Sequence, residues 1–145
     1  MQISRRADYA VRILLELATQ GSKSNTARIG KRQLVPATMT RRITQQLVAA
    51  GWVASQRGED GGVWLACPPR TISLLEIVEL IDGPIRLNRC LVQAGECPLD
   101  RICPAHRVWG EGLELLRAHL QRATLADLVE QGKALRESLR RKDET

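Results

Sequence analysis

Apolar side chains recur at spacings of three and four over about residues 4–19, a pattern that predicts a helix with one buried face. That face is formed by Tyr9, Ala10, Ile13, Leu14 and Leu17. Ser4 is placed to cap the first turn. Two shorter helical patterns follow over about residues 26–33 and 36–50, with only a short turn between them. Two helices joined this tightly are typical of a helix-turn-helix.

A β-hairpin is predicted directly after this helical pair. Two short strand-like runs, at residues 52–57 and 63–66, flank the glycine-rich turn 58–62. A hairpin in this position is the wing of a winged helix-turn-helix. The predicted fold class is therefore mainly α, with one two-stranded β wing.

The second half of the chain predicts helices separated by an irregular loop. Ser73 and Glu76 have the spacing of a capping box, at the start of a helix that stops at residues 82–84. Residues 86–104 show no regular pattern and contain three of the four cysteines. A longer helix is predicted from residue 105 to about residue 123, followed by a capped last helix. The longer helix carries an apolar seam of the kind that pairs with another helix, formed by Trp109, Leu113, Leu116 and Leu120.

Composition and charge restrict the class of protein. The 145 residues suit one compact domain or a domain with an added helix, and 43% hydrophobic residues are enough for a core. The formal net charge of +6 attracts polyanions, of which nucleic acid and an anionic membrane surface are common examples. The chain has no run of about 18 apolar residues, so we expect no membrane-spanning segment.

The N-terminal residues and the cysteine content indicate a reducing compartment. Charged residues interrupt the first helix, whereas a signal peptide has an uncharged apolar stretch there. We therefore expect a cytoplasmic protein, in which the four cysteines are thiols or metal ligands rather than disulfides. The sequence has no phosphate-binding glycine loop and no nucleophile–base pair, so we expect neither an enzyme nor a small-molecule substrate.

The second helix of the pair presents side chains suited to the major groove of double-stranded DNA. Its outward positions are Thr38, Arg41, Arg42, Gln45 and Gln46. Arginine can take guanine in a bidentate hydrogen bond, and glutamine can take adenine in the same way. Arg28 and Lys31 are predicted to lie near the same surface and hold phosphates, and Arg57 lies at the base of the wing. Since Arg and Gln are also good exposed helix formers, the whole arrangement rather than any one residue predicts DNA binding.

Three cysteines and a histidine are close together in the irregular segment. Cys90, Cys97 and Cys103 have the pattern C-x6-C-x5-C, and His106 follows. Thiolates are soft ligands that favour iron–sulfur clusters, zinc or copper(I). The loop has few residues that could form a core without a ligand, so binding a metal centre would offset the entropy of ordering it. Cys67 stands apart after the wing and is interpreted as a packed thiol.

A zinc-binding, nucleic-acid-binding protein is an alternative interpretation of the same residues. The pattern C-x6-C-x5-C-x2-H is similar to zinc fingers of the CCCH type, which bind single-stranded RNA. Those fingers have three residues before the histidine and use aromatic stacking, whereas this loop has two residues there and no aromatic side chain.

The order of these motifs resembles the Rrf2 family of bacterial winged-helix regulators, over nearly the whole chain. The resemblance includes the opening Tyr9-Ala10-Val11-Arg12, the wing pattern Arg57-Gly58-x-x-Gly61-Gly62-x-x-Leu65-Ala66, and Ile72-Ser73-Leu74 before a helix ending in Asp82-Gly83-Pro84. It continues through the three cysteines to Thr124-Leu125-Ala126-Asp127-Leu128. No single motif is decisive, but their order and spacing together are specific.

The resemblance implies a homodimer joined by the long helix, acting on a palindromic double-stranded operator. It also implies a [2Fe–2S] or [4Fe–4S] cluster held by Cys90, Cys97 and Cys103. In the cluster-assembly regulators of the family the fourth ligand is a histidine three residues after the last cysteine, which here is His106. In some nitric-oxide sensors it is an aspartate near the N-terminus of the partner subunit, which here is Asp8. His106 suits a [2Fe–2S] cluster and Asp8 a [4Fe–4S] cluster, and both remain open.

The predicted protein is therefore a transcriptional regulator, expected to be a repressor. Its DNA affinity is expected to change with an iron–sulfur cluster that senses iron, redox state or nitric oxide. We expect a winged helix-turn-helix DNA-binding domain at residues 1–84, a cluster-binding loop at 85–104, and a dimerisation helix with a C-terminal helix at 105–145. An Rrf2-type regulator without a cluster, controlled by a protein partner, is the rival interpretation.

Overall fold

The computed structural model describes residues 2–143 as six α-helices and one two-stranded antiparallel sheet. The helices are α1 Arg5–Gln20, α2 Thr26–Gln33, α3 Ala37–Ala49, α4 Leu74–Asp82, α5 Pro104–Arg122 and α6 Leu125–Asp143, and the strands are β1 Val53–Gln56 and β2 Gly62–Leu65. The prediction of a mainly α fold with one β-hairpin is confirmed. Within residues 2–143, no helix is long and apolar enough to cross a membrane.

Side-chain caps determine where two of the predicted helices begin. The Ser4 hydroxyl accepts a hydrogen bond from the Ala7 N–H at 3.1 Å, at the start of α1. Ser73 and Glu76 form the reciprocal capping box that was expected at α4. These side chains satisfy N–H groups that have no partner within the helix, so the local sequence fixes both starting points.

The helix-turn-helix depends on a close approach between α2 and α3. Gly30 lies in α2 where a Cβ atom would come within 2.8 Å of Thr40 Oγ1 in α3 and 3.1 Å of the Val35 carbonyl oxygen. The Val35 N–H donates to the Gly30 carbonyl oxygen at 2.9 Å. Between the helices, Leu34 turns the chain in the left-handed region, with φ of 55°. Because it has no side chain, Gly30 allows the two helices to pack this closely.

The wing is tied to the helix-turn-helix by backbone hydrogen bonds. β1 and β2 pair antiparallel, with Val53 opposite Leu65. Ser24 and Val63 exchange two backbone hydrogen bonds of 2.8 Å, which join the loop before α2 to β2. The wing therefore has a fixed position relative to the helices that precede it.

One hydrophobic core joins the N-terminal and C-terminal halves of the described chain. Its fully buried side chains include Ile13, Leu14, Leu17, Ile29, Ile43, Leu47, Ile77 and Leu125. The predicted seam of α5 takes part in this core, because Leu120 is buried there and Leu113 and Leu116 pack against it. These three residues therefore pack against the core of their own chain. An amphipathic period shows that a helix face is buried, but not which chain buries it.

A polar contact also holds α1 against α2. Glu16 on α1 accepts hydrogen bonds from Arg32 at 3.0 Å and from Gln33 at 2.7 Å, and Gln20 donates to it within α1. Partial burial alone raises the pKa of Glu16. These hydrogen bonds outweigh that effect and leave the pKa below its ordinary value of 4.5. The ionised carboxylate is therefore the form that holds the end of α2 in place.

Replacing Gly30 by Ala should lower the free energy of unfolding by about 1 to 3 kcal/mol, because the added methyl group overlaps Thr40 Oγ1. Urea denaturation followed by circular dichroism measures this change. Gly132→Ala is the matched control, since its new Cβ would meet only the end of the Arg136 side chain at 3.7 Å. The control should be neutral, or more stable by up to about 1 kcal/mol. Equal stability of the two variants would contradict the close packing of α2 on α3.

Replacing Glu16 by Gln should lower stability by about 1 kcal/mol at neutral pH, because charge-assisted hydrogen bonds to a partly exposed Arg32 are lost. Since the folded-state pKa lies below the unfolded one, this contribution is present above pH 4.5 and is lost as the pH falls through the folded-state value. Chemical denaturation should therefore show the difference between wild type and variant shrinking on acidification. A difference that stays constant down to about pH 3 would count against this assignment.

Candidate functional site

The wing and α3 enclose an open groove of about 540 Å³. α3 contributes Arg41 and Gln45 to its lining, and the wing contributes Arg57. All three side chains are exposed. Cationic and amide groups from two elements therefore converge on one concave surface, which suits contacts to phosphates and base edges of a nucleic acid.

The remaining residues predicted to contact DNA are exposed but do not line this groove. Thr38 and Arg42 lie on α3, and Arg28 and Lys31 lie on α2. Gln46 differs from these residues, because it is half-buried and accepts a hydrogen bond from an arginine of α1 at 3.3 Å. Its amide oxygen is thus engaged within the protein.

Sequence reasoning missed Lys23, whose ammonium group lies against the wing. Lys23 Nζ donates to Gln56 Oε1 at 2.7 Å and to the Asp60 carbonyl oxygen at 2.9 Å, and lies 5.1 Å from the centre of the Trp64 ring. It places a positive charge beside the acidic tip of the wing. No local signal indicates this contact, because the two hydrogen-bond partners are 33 and 37 residues away along the chain.

The cysteine loop surrounds a second hollow, of about 550 Å³. Cys90, Cys97 and His106 line it, so three of the predicted ligands face the same space. Cys103 lies outside the lining, at the N-cap of α5 and three residues before His106. The loop is irregular, apart from one 3₁₀ turn at Arg89–Leu91.

Asp100 joins this group, and sequence reasoning missed it. One ligand atom from each of Cys90, Asp100 and His106 lies within 4.8 Å of the other two. Asp100 Oδ1 is 3.6 Å from His106 Nδ1. The only signal in the sequence is an acidic residue three positions after Cys97, which by itself is too common to indicate a ligand.

The surroundings of Cys90 affect the ionisation of its thiol. Removal from water raises the pKa of the Cys90 thiol, and the neighbouring Asp100, Cys97 and Cys103 raise it further. The thiolate form is therefore disfavoured in the loop as it stands. A bound metal ion supplies the positive charge that would reverse this preference.

Asp8 and Cys67 lie apart from this group. Asp8 forms an ion pair of 2.7 Å with Arg12 within α1. Among the described residues of the single chain, it is not part of the group of potential ligands around Cys90. Cys67 is half-buried against the core, with Sγ 4.0 Å from the Trp52 carbonyl oxygen, as expected for a packed thiol.

Glu79 connects the cysteine loop to the helices on either side of it. Its Oε1 atom accepts a hydrogen bond from the Ile85 N–H at 3.1 Å, where the chain enters the loop. The same atom accepts a hydrogen bond from Arg117 of α5. The loop entrance, α4 and α5 therefore share one polar contact.

A family model, Rrf2, described as an iron-dependent transcriptional regulator, matches residues 3–131. This chain belongs to the Rrf2 family. The match spans the helix-turn-helix, the wing, the cysteine loop and α5. It confirms the resemblance carried by the sequence motifs.

Individual relatives and a solved structure that resemble this chain are also regulators. NsrR of Geobacillus kaustophilus is 30% identical over 143 residues, covering 97% of each chain. IscR of Vibrio vulnificus is 28% identical, covering 89% of this chain and 77% of its own. The structure of CymR, the global cysteine regulator of B. subtilis, matches with a TM-score of 0.75 at 26% identity, covering 90% of this chain and 98% of CymR.

This Rrf2 protein is therefore a winged-helix transcriptional regulator that binds DNA, and it is not an enzyme. The groove between α3 and the wing is its candidate surface for DNA. The hollow in the cysteine loop is its candidate site for a cofactor.

Replacing Arg41 by Ala should weaken DNA binding by about 5- to 150-fold, the loss expected for about 1 to 3 kcal/mol of base or phosphate contact. Fluorescence anisotropy measures the DNA affinity of each variant, on a duplex that the wild type has selected from a random pool. Arg136→Ala is the matched control, because Arg136 is exposed on α6 and lies outside the groove. If both variants lost affinity equally, net charge rather than the groove would explain the effect.

Proposed function

We propose that this Rrf2 protein is a cytoplasmic repressor whose affinity for DNA is set by an iron–sulfur cluster in the cysteine loop. The observation that carries the proposal is the hollow lined by Cys90, Cys97 and His106, with Cys103 beside it. Thiolates, together with an imidazole in some proteins, are the ligands that iron–sulfur clusters take. The description of the family as iron-dependent agrees with this choice.

The residues of the loop fit such a group, because little else orders the second half of the segment. Its apolar residues Leu99 and Ile102 are 56% and 77% exposed, so they do not anchor it to the core. Removal from water and the nearby Asp100 raise the pKa of the Cys90 thiol, which disfavours its thiolate form. Bonds to a metal centre would supply the order that the loop lacks, together with the positive charge that favours the thiolate form.

We propose His106 as the fourth ligand, which suits a [2Fe–2S] cluster. His106 lines the same hollow as Cys90 and Cys97. Asp8 is instead paired with Arg12 on α1. In the alternative [4Fe–4S] arrangement, Asp8 would come from a second copy of the chain, and the metal would compete with Arg12 for its carboxylate.

We propose that α5 also joins two copies of the chain into a homodimer. Val108 and Leu115 are 61% and 73% exposed and lie seven residues apart, on one face of α5. Trp109 is exposed beside them. A row of exposed apolar side chains on a long helix is typical of an interaction surface. A two-fold dimer would present two copies of α3 to successive major grooves, about 34–36 Å apart, and would read a palindromic operator.

The proposed signal passes through the two ends of the loop. Ile85, where the chain enters the loop, donates to Glu79 of α4, and Arg117 of α5 contacts the same carboxylate. When bound, the cluster supplies a centre that oxidants, nitric oxide or iron loss can convert or remove. A disordered loop would loosen this shared contact and change the spacing of the two copies of α3. Because half-sites on DNA have a fixed spacing, such a change weakens binding.

A regulator without a cluster, controlled by a protein partner, is the second candidate. The likeness to CymR, whose description refers to cysteine rather than to iron, is the observation that favours it. Purification without air separates the two candidates. A coloured protein with iron and sulfide supports the sensor, and a colourless one supports the rival.

Replacing Cys97 by Ala should remove the cluster, because one of its three thiolate ligands is lost. The wild type purified without air should contain iron and acid-labile sulfide and absorb visible light. Cys97→Ala should lose most of its iron, its sulfide and its visible absorbance. Cys67→Ala is the control and should keep them, because Cys67 packs against the core outside the hollow. A colourless wild type, or an unchanged spectrum in Cys97→Ala, would contradict the proposal.

A further inference from the structure

Asp100 has a position that the proposed cluster does not explain. Its Oδ2 atom accepts a hydrogen bond from the Gly95 N–H at 3.2 Å, which orients the carboxylate. Its Oδ1 atom lies 3.6 Å from His106 Nδ1, a separation too long for a hydrogen bond. Both of these atoms are shielded from water, and neither has a hydrogen-bond partner among the described residues.

A carboxylate oxygen and a ring nitrogen shielded in this way are unfavourable unless something binds them. A metal ion between them would satisfy both atoms at once, and the Cys90 thiol is a third donor. The three ligand atoms lie within 4.8 Å of one another. Ligands of a tetrahedral ion bound at about 2.0–2.3 Å are roughly 3.3–3.8 Å apart, so small side-chain movements would bring them onto one ion.

The charge and chemistry of the three donors select the kind of ion. One thiolate, one carboxylate and one neutral imidazole carry two negative charges, which balance a divalent cation. A sulfur, nitrogen and oxygen set suits zinc, whereas magnesium and calcium take oxygen ligands. Arg101 lines the same hollow, but it makes no hydrogen bond to Asp100 Oδ1 among the described contacts. That oxygen is therefore available to a metal ion.

We propose that Cys90, Asp100 and His106 form a site for one divalent cation of the zinc class in the protein that carries no cluster. Cys97 lines the same hollow and can take the fourth position, as can water. Binding forms the sulfur–metal bond and releases the Cys90 thiol proton to solvent. Cation and cluster exclude one another, because both use Cys90 and His106. The inference shares these ligands with the proposed function but stands without it.

Cobalt(II) tests the site in the reduced, cluster-free full-length protein, because its spectrum reports the ligands. Titration should saturate at one cobalt per chain, with a sulfur-to-cobalt charge-transfer band in the near ultraviolet and intense visible ligand-field bands. Zinc should displace it. Asp100→Asn should weaken cobalt binding by about ten- to a hundredfold or more, and Asp100→Glu should restore part of the loss. Asp60→Asn, on the exposed wing tip, is the matched control and should bind as the wild type does.

The proposal is overturned if Asp100→Asn binds cobalt with the wild-type affinity and spectrum, or if the wild type shows no sulfur-to-cobalt band. X-ray absorption of the zinc-loaded wild type gives a second result that does not depend on how the variants fold. We expect at most two sulfur ligands, because three would leave only one of the four positions and so exclude a site that contains both Asp100 and His106. Iron and sulfide content of protein purified without air is measured separately. Their absence would remove the proposed sensor and leave the cobalt result as it stands.

Discussion

Thiol, carboxylate and imidazole donors lie close together in a loop that has almost no core of its own. Cys90 lies beside Asp100, and Cys97 and Cys103 are close enough to raise its pKa, while Leu99 and Ile102 face solvent. Hydrophobic burial therefore contributes little order to this segment, and the surroundings of Cys90 disfavour its thiolate form. A bound metal centre reverses both effects, and the proposed regulation depends on that reversal.

The DNA-binding part, in contrast, needs no ligand to keep its shape. α2 packs on α3 through Gly30, and backbone hydrogen bonds between Ser24 and Val63 hold the wing in place. We therefore expect the state of the loop to change where the DNA-binding part sits, not how it is folded. We propose Glu79 as the point of transmission, because one of its carboxylate oxygens accepts hydrogen bonds from the loop entrance and from Arg117 of α5.

Much of the fold could be predicted from the sequence because the signals are local. The Ser4 cap, the capping box at Ser73 and the apolar period of α1 each act within a few residues of their own position. The site was less predictable, because its contacts are distant or ambiguous. Lys23 reaches the wing across more than thirty residues, and Asp100 becomes a potential ligand only when the loop folds back on His106. The seam of α5 was recognised as buried, but the pattern did not show that its own chain buries most of it.

The most direct test of the central claim is the DNA affinity of a single preparation, measured without air before and after the cluster is removed. The duplex is one that the wild type selects from a random pool. We expect the two forms to differ by about 5- to 150-fold, the usual range for coupling between two sites, with Cys97→Ala behaving as the cluster-free form. Equal affinity of the two forms, in protein shown to carry iron and sulfide, would contradict control of DNA binding by the cysteine loop.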